Sequence, residues 1–278
     1  MASGDWVKSG EHVIVTGGSS GIGLALAEQL AERGAVVSLL ARGQERLDAA
    51  AERLRALKAE VHVRSVDVTN ADDVRRAVKD LEAEAGPCVA LITSAGQARA
   101  GHFLEMPDDV FHTMMDVDFF GTLWAARAVA PGMVERGRGT ILTVVSTAGL
   151  AGVFGYTAYG PAKYAVRGFT ESLRQELAPH GITVSAVFPP DVDTPQLAEE
   201  NKHKPAETAA ITGSIKPLDP KDVARDILRG LDRGKPLIFL DATSRALSTV
   251  GGAIGPVLRW FMDGKVRSAQ RKLASAEK

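Results

Sequence analysis

Short apolar runs alternate with longer stretches of helical periodicity through most of the chain. The runs stand at 12–16, 36–41, 61–66, 89–93, 140–146, 182–188 and 237–240. Several of them, including Ile14-Val15, Val36 to Leu40 and Ile141 to Val145, are almost wholly apolar, as strands covered on both faces must be. Strands and helices in alternation predict an α/β chain with a doubly wound parallel sheet. Residues 189–220 break the pattern, being rich in proline, charge and polar side chains and too long for an ordinary connection. They follow the sixth strand, at the edge where such sheets bind ligands, and read as a substrate lid. No linker appears before residue 195, so residues 1–278 are expected to form a single domain.

Between the first strand and the first helix lies Gly17-Gly18-Ser19-Ser20-Gly21-Ile22-Gly23. Glycine permits positive φ and lets backbone amides approach a pyrophosphate, which then sits at the positive end of the following helix. The spacing, TGxxxGxG, differs from the GxGxxG dinucleotide fingerprint, but its setting of strand, turn and helix is that of a dinucleotide site. The second strand ends in Ala41-Arg42, where a site for NAD would carry an acidic residue to grip the ribose hydroxyls. An arginine there suits a 2′-phosphate, and Arg46, one turn on, adds a donor together with Ser19 and Ser20. NADP is the expected cofactor. The alternative is that Arg42 and Arg46 are solvated surface charges.

Ser146, Tyr159 and Lys163 are the candidate proton-handling residues. On a helix over 157–178, Tyr159 and Lys163 are four apart and share one face, which brings the ammonium close to the phenol. A free tyrosine releases its proton only near pH ~10, and a neighbouring positive charge lowers that cost. Ser146 closes the fifth apolar run, at the strand edge that faces a ligand crevice. Alone, a YxxxK is also an ordinary exposed helix pair; the glycine turn upstream gives it weight.

Composition removes several other readings. Lys and Arg number 33 against 34 Asp and Glu, and the net charge of −1 with both signs interspersed leaves no electrostatic footprint for nucleic acid. A single cysteine, Cys88, excludes an internal disulfide and fits a reducing compartment; after Gly86-Pro87 it reads as a buried strand start rather than a nucleophile. The six histidines lack metal-ligand spacing, so no metal site is expected. The N-terminal MASGDWVKSGEH has no apolar core of signal-peptide length, and a cytoplasmic protein is expected.

Taken in order, TGGSSGIG, Asp67-Val68, Ser94-Ala95-Gly96, Ser146 and Tyr159-x-x-x-Lys163 resemble the short-chain dehydrogenase/reductases over residues 10 to about 240. The resemblance implies a single Rossmann-type sheet flanked by helices, with strand order 3-2-1-4-5-6-7. It implies that Asp67 and Val68 hold the adenine and that Ala95 and Gly96 belong to the segment supporting the central strand. Pro189, Val192 and Thr194 fall on the family's PGxVxT segment, at the nicotinamide. By the same resemblance Ser146 would orient the substrate carbonyl, Tyr159 would donate its proton and Lys163 would bind the nicotinamide ribose.

The lid narrows this further, since FPPDVDTPQLAEENKHKPAET (Phe188 to Thr208) resembles the matching stretch of 3-ketodihydrosphingosine reductases. Phe154-Gly155-x-Thr157-Ala158-Tyr159 and Ala41-Arg42 extend the match. This implies NADPH-dependent reduction of a long-chain keto-sphingoid base, 3-oxosphinganine, to dihydrosphingosine. It also implies a homo-oligomer built on the helices holding residues 108–133 and 157–178. The lid carboxylates Asp191, Asp193, Glu199 and Glu200 would then either receive the substrate's 2-ammonium group or remain solvated charges. The same catalytic residues would equally serve a carbonyl reductase of another hydrophobic substrate, such as a steroid or a retinoid. A scaffold that binds cofactor without catalysis is the third reading.

Three features depart from the family pattern. Asp118, in Asp116-Val117-Asp118-Phe119-Phe120-Gly121, stands where the family usually has an asparagine that supports a water in the proton relay; it keeps an acceptor but loses the amide donor. Gly160-Pro161 replaces more common small residues after Tyr159, and with Thr157 as the helix cap Pro161 falls in the first turn, where proline is tolerated. The N-terminal membrane segment of the eukaryotic relatives does not appear, which with the Ala-, Arg- and Gly-rich composition suggests a bacterial form.

The C-terminal segment, 242–278, is apolar and then basic. Ala246 to Leu258 is uncharged but short and broken by Gly251, Gly252, Gly255 and Pro256, too little for a membrane span. Beyond it Leu258, Met262, Val266, Ala269 and Leu273 share a helical face with Phe261 beside them, complemented by Arg259, Lys265, Arg267, Arg271 and Lys272. Such a helix suits peripheral contact with the cytosolic face of an anionic membrane, or packing on the protein or a second subunit. The lipid substrate implied by the lid favours the membrane.

Overall fold

In the computed structural model, which describes residues 6–212, 216–250 and 255–276, seven strands form one parallel sheet. They are β1 (His12–Thr16), β2 (Val36–Ala41), β3 (Val61–Ser65), β4 (Cys88–Thr93), β5 (Gly139–Val144), β6 (Ile182–Phe188) and β7 (Leu237–Phe239). Their order is β3-β2-β1-β4-β5-β6-β7, as the motif resemblance implies. From β1 the chain winds outward to β2 and β3, then returns to place β4 on the other flank. The crevice at this reversal opens at the carboxyl ends of β1 and β4.

The period of two along each strand supplies two cores. Val13, Val15, Leu39, Ala90 and Ile92 pack under α1 (Gly21–Glu32), α2 (Gln44–Ala56) and α9 (Pro220–Asp232). Their alternates Ile14, Leu40, Leu91 and Ile141 pack under α3 (Ala71–Ala85), α5 (Gly121–Arg136) and the end of α6 (Tyr159–Leu177). Helix starts are marked chemically: Asn70 accepts from the N–H groups of Asp72 and Asp73 at α3, and Asp219 from that of Lys221 at α9. Cys88 opens β4 fully buried, and burial pushes its thiol up to about 12, so it packs as a small apolar group.

Several boundaries differ from the sequence expectation. β5 ends at Val144, so Ser146 lies two residues past the strand, at the start of a single 3-10 turn, where its Oγ accepts from the Ala148 N–H at 3.1 Å. Helix α6 begins at Tyr159, and Thr157 does not cap it; Ala158 holds that position with no side-chain bond. Pro161 is still in the first turn, where no helical donor is lost. The segment 189–220 is less irregular than its composition suggests. It contains α7 (Pro195–Asn201) and α8 (Ala206–Thr212), and a parallel bridge joins Val192 to Leu218; residues 213–215 lie outside the described residues.

After α10 (Ala242–Val250), α11 (Gly255–Ala276) packs on α8. Ala269 is buried and Met262 and Val266 half-buried, so this part of the expected apolar face turns inward. Gly251, Gly252 and the side chains of Leu258, Lys272 and Leu273 lie outside the described residues. Phe261, expected beside that face, is 51% exposed, and its neighbours Val257 and Trp260 are 66% and 72% exposed. Among the described residues no helix is long and apolar enough to cross a membrane.

Candidate active site

A cleft of about 720 Å³ opens along the carboxyl edge of the sheet. It is lined by almost every residue singled out in the sequence. Gly17, Ser19, Ser20, Gly21 and Ile22 form one wall, Arg42 and Arg46 its outer end, and Asp67, Val68, Ala95 and Gly96 the side toward β3 and β4. Ser146, Tyr159, Lys163, Pro189, Val192 and Thr194 also line it, with Thr194 directly against Gly21, where a Cβ would meet the threonine side chain at 3.0 Å. Among the expected cofactor-binding residues Gly23 alone does not line the cleft. A Cβ there would come within 2.5 Å of the Gly17 carbonyl oxygen, so its role is close packing of α1 against the turn. Gly17 itself has φ +68°, and a Cβ on it would meet the Ser94–Ala95 peptide at 2.6 Å.

Arg42 and Arg46 have no acidic partner among the described residues, and a Cβ on Gly43 would touch the Arg46 guanidinium at 3.2 Å. Two unpaired guanidiniums beside a glycine-lined wall are donors arranged for an anion. Asp67 is held in place by accepting from the Thr69 N–H and hydroxyl, at 3.0 and 2.9 Å.

The reactive end is built on α6 and on a break in the helix facing it. Tyr159 and Lys163 project from successive turns, with the ammonium 5.6 Å from the phenol ring centroid. Lys163 is 4% exposed, a poor place for a charge. Its Nζ donates to the Val144 carbonyl at 3.3 Å and lies 3.4 Å from Asp118 Oδ1. Asp118 comes from a π-helical turn, Met115–Phe120, between α4 (Asp108–Met114) and α5. The extra residue per turn shifts the backbone register, and such turns gather at functional sites. Asp118 Oδ1 also accepts from the Gln97 N–H at 3.0 Å, while the buried Oδ2 has no protein partner.

This pairing alters the acid–base expectation. The sequence places a lone ammonium beside Tyr159 to lower its pKa, whereas the protein groups together raise it. Burial is the largest cause, Asp118 is next, and the Ser146 hydroxyl partly offsets them. Asp118 is itself pushed up by burial, against the pull of Lys163. Sequence reasoning flagged Asp118 as a departure but missed that it is the ion-pair partner of Lys163. It also missed Tyr156, which lines the cleft with its ring centroid 5.8 Å from that of Tyr159; the only signal was its place inside the Phe154-to-Tyr159 match.

A family profile described as short chain dehydrogenase matches residues 11–205. The chain belongs to the short-chain dehydrogenase family. Membership makes it an oxidoreductase. A 3-ketodihydrosphingosine reductase from Dictyostelium discoideum is 37% identical, over 91% of this chain and 81% of the relative. A 3-dehydrosphinganine reductase from Danio rerio is 38% identical, over 90% and 76%. Among solved structures, a short-chain dehydrogenase from Sphingobium yanoikuyae in complex with NADPH superposes with a TM-score of 0.76 at 30% identity, covering 89% of this chain and 94% of that one.

The Asp118 charge generates a pH prediction. A tyrosine that protonates a carbonyl oxygen in reduction acts as the base in the reverse oxidation. Replacing Asp118 by asparagine removes a charge that raises the Tyr159 pKa, so the variant should fold and turn over, with the rise of oxidation rate moved to lower pH. The alkaline fall of the reduction rate should move the same way. Paired kcat–pH profiles check this, and an unmoved profile, or one displaced to higher pH, contradicts it.

Proposed function

We propose that this oxidoreductase reduces the 3-keto group of 3-ketodihydrosphingosine with NADPH, giving dihydrosphingosine. The observation that carries the reading is similarity to two sphingoid-base ketoreductases over about nine-tenths of the chain, joined to a complete Ser146, Tyr159 and Lys163 site. The cofactor assignment rests on the two unpaired guanidiniums and on a glycine wall that leaves no room for side chains. Gly17, Ser19, Ser20, Gly21 and Ile22 would hold the pyrophosphate and Arg42 and Arg46 the 2′-phosphate, with Gly23 keeping α1 close behind. Asp67 and Val68 would flank the adenine, Ala95 and Gly96 the ribose side, and Pro189, Val192 and Thr194 the nicotinamide.

NADPH, when bound, supplies the hydride for the carbonyl carbon. The protein supplies the rest. Tyr159 carries the proton that the carbonyl oxygen takes, and its raised pKa keeps the phenol protonated and ready to donate. Ser146, fixed by its bond to the Ala148 N–H, presents its hydroxyl to the same oxygen. Lys163, anchored by Val144 and Asp118, fixes the positive charge behind the phenol and presents donors to a ribose. Burial of these groups excludes water and strengthens each interaction.

Peripheral membrane contact belongs to the same proposal. A long-chain base gains about 0.8 kcal/mol per buried methylene in a bilayer, so its enzyme works best with an apolar surface at the membrane. Val257, Trp260 and Phe261 lie at helical spacing on the exposed side of α11, which packs on lid helix α8. On α8, Glu207 faces His102 at 3.7 Å, and the neighbouring Phe103 and Leu104 are 63% and 93% exposed. One apolar patch thus lies beside the lid, and the other on the helix that packs against it.

Purified protein should oxidise NADPH with 3-ketodihydrosphingosine far faster than with a steroid ketone or a short aliphatic ketone. NADPH should be preferred over NADH, and Arg42→Asp should erode that preference by about tenfold to a hundredfold, the worth of one charged hydrogen bond. Equal efficiency with both cofactors in the unmodified protein removes the cofactor argument, and a better rate with the steroid ketone removes the substrate one. For the membrane contact, a Trp260→Ser, Phe261→Ser double variant should sediment less with anionic liposomes while keeping activity on a soluble short-chain ketone. Unchanged sedimentation contradicts it.

A further inference from the structure

The lid carries a second charged cluster that the proton chemistry does not use. The Tyr156 hydroxyl donates to Glu200 Oε1. Lys204 Nζ lies 3.3 Å from the same oxygen and 3.6 Å from Asp191 Oδ2. Glu200 and Lys204 are nearly excluded from water, with side chains 9% and 8% exposed, whereas Asp191 is 41% exposed. Asp191, Glu200 and Tyr156 all line the catalytic cleft.

The charges in this cluster do not balance. Two carboxylates face one ammonium, and Tyr156 adds no charge, because burial and Glu200 hold its phenol protonated. One negative charge is left over at the cleft wall. A surplus charge in a half-dry site is costly unless a ligand completes it. The other lid carboxylates are disposed differently: Glu199 is exposed and engages Lys202 and His203, and Asp193 is exposed.

The cluster also lies at the right distance from the reacting group. The Tyr156 and Tyr159 rings are 5.8 Å apart, and both Glu200 and Asp191 act electrostatically on the Tyr159 phenol. In a 2-amino ketone the nitrogen is two bonds, about 2.5 Å, from the carbonyl carbon. A carbonyl oxygen at Tyr159 therefore carries such an ammonium toward Tyr156 and the carboxylates behind it.

We propose that Glu200 and Asp191, with Lys204 as their resident counter-cation, form a subsite that reads a free ammonium on the carbon next to the keto group. The cleft then selects 2-amino ketones over amine-free ketones of the same length. Lys204 balances one carboxylate and holds the pair together; the substrate ammonium balances the second. Tyr156 fixes the Glu200 carboxylate by its hydroxyl and seals one side of the subsite. The inference rests on the sphingoid-base reading and assigns the residues that would enforce it.

The test compares kcat/KM for 3-ketodihydrosphingosine with that for 1-hydroxyoctadecan-3-one, which lacks only the amine. The unmodified protein should favour the amine by at least about tenfold, and Glu200→Gln should lower that ratio toward one. Glutamine still accepts from Tyr156, so the variant isolates the charge. Asp191→Asn, at a more exposed position, should narrow the ratio in the same direction and carries the test if Glu200→Gln does not fold, as judged by NADPH titration and circular dichroism. If the unmodified protein reduces both ketones with equal kcat/KM, or if folded variants keep the full ratio, the subsite is wrong and the substrate reading stands. If it reduces neither ketone but does reduce a steroid ketone, the substrate reading itself has failed and the subsite falls with it.

Discussion

A lysine ammonium taken almost wholly out of water sets the terms for the cleft. Lys163 is 4% exposed and must be compensated by fixed partners, and the chain provides them from two directions. The Val144 carbonyl, freed where β5 ends, supplies one, and Asp118 supplies the other from a π-helical turn in the facing helix. Much of the local architecture is read most simply as serving that arrangement. The strand stops two residues before Ser146, and Gly96 has no side chain because a Cβ would lie 2.6 Å from Asp118 Oδ1 and 3.4 Å from Lys163 Nζ. Gln97 then donates its N–H to the same carboxylate.

Compensation changes the chemistry as well as the packing. An uncompensated ammonium beside Tyr159 would favour its phenolate, but with Asp118 in place the phenol is held up and remains an acid. That state suits reduction. Asp118 Oδ2, buried and without a protein partner, is the residual cost of the pair. The Tyr156, Glu200, Lys204 and Asp191 group repeats the theme at the lid, with the difference that its charges do not cancel.

The fold was legible because its signals are local. Apolar runs of five or six residues, covered on both faces, announced the strands, and the glycine turn after β1 announced the cofactor wall. Of the residues expected to bind cofactor or act in catalysis, only Gly23 lies off the cleft, and it supports the turn from behind. What escaped was long-range or fine-grained. The π-helical turn has no sequence signature, so the Asp118–Lys163 pair, 45 positions apart, could not be read. Thr157 has the chemistry of a helix cap but α6 starts one residue too late to use it. In residues 189–220, proline and charge hid two short helices. On α11 the apolar spacing left membrane contact and packing both open and leaned to the membrane; Met262, Val266 and Ala269 of that face turn inward, while Trp260 and Phe261 are exposed.

On the proposed reading Tyr159 carries the proton for carbonyl reduction, while Lys163 and Asp118 hold the phenol's surroundings in place and set its acidity. The most direct test is single-turnover reduction by a Tyr159→Phe variant, with NADPH binding measured on the same preparation by fluorescence titration. Cofactor affinity should stay near that of the unmodified protein and the turnover rate should fall by about a hundredfold or more, the usual worth of a positioned general acid. A Phe variant that binds NADPH normally and reduces ketone at the unmodified rate would contradict it.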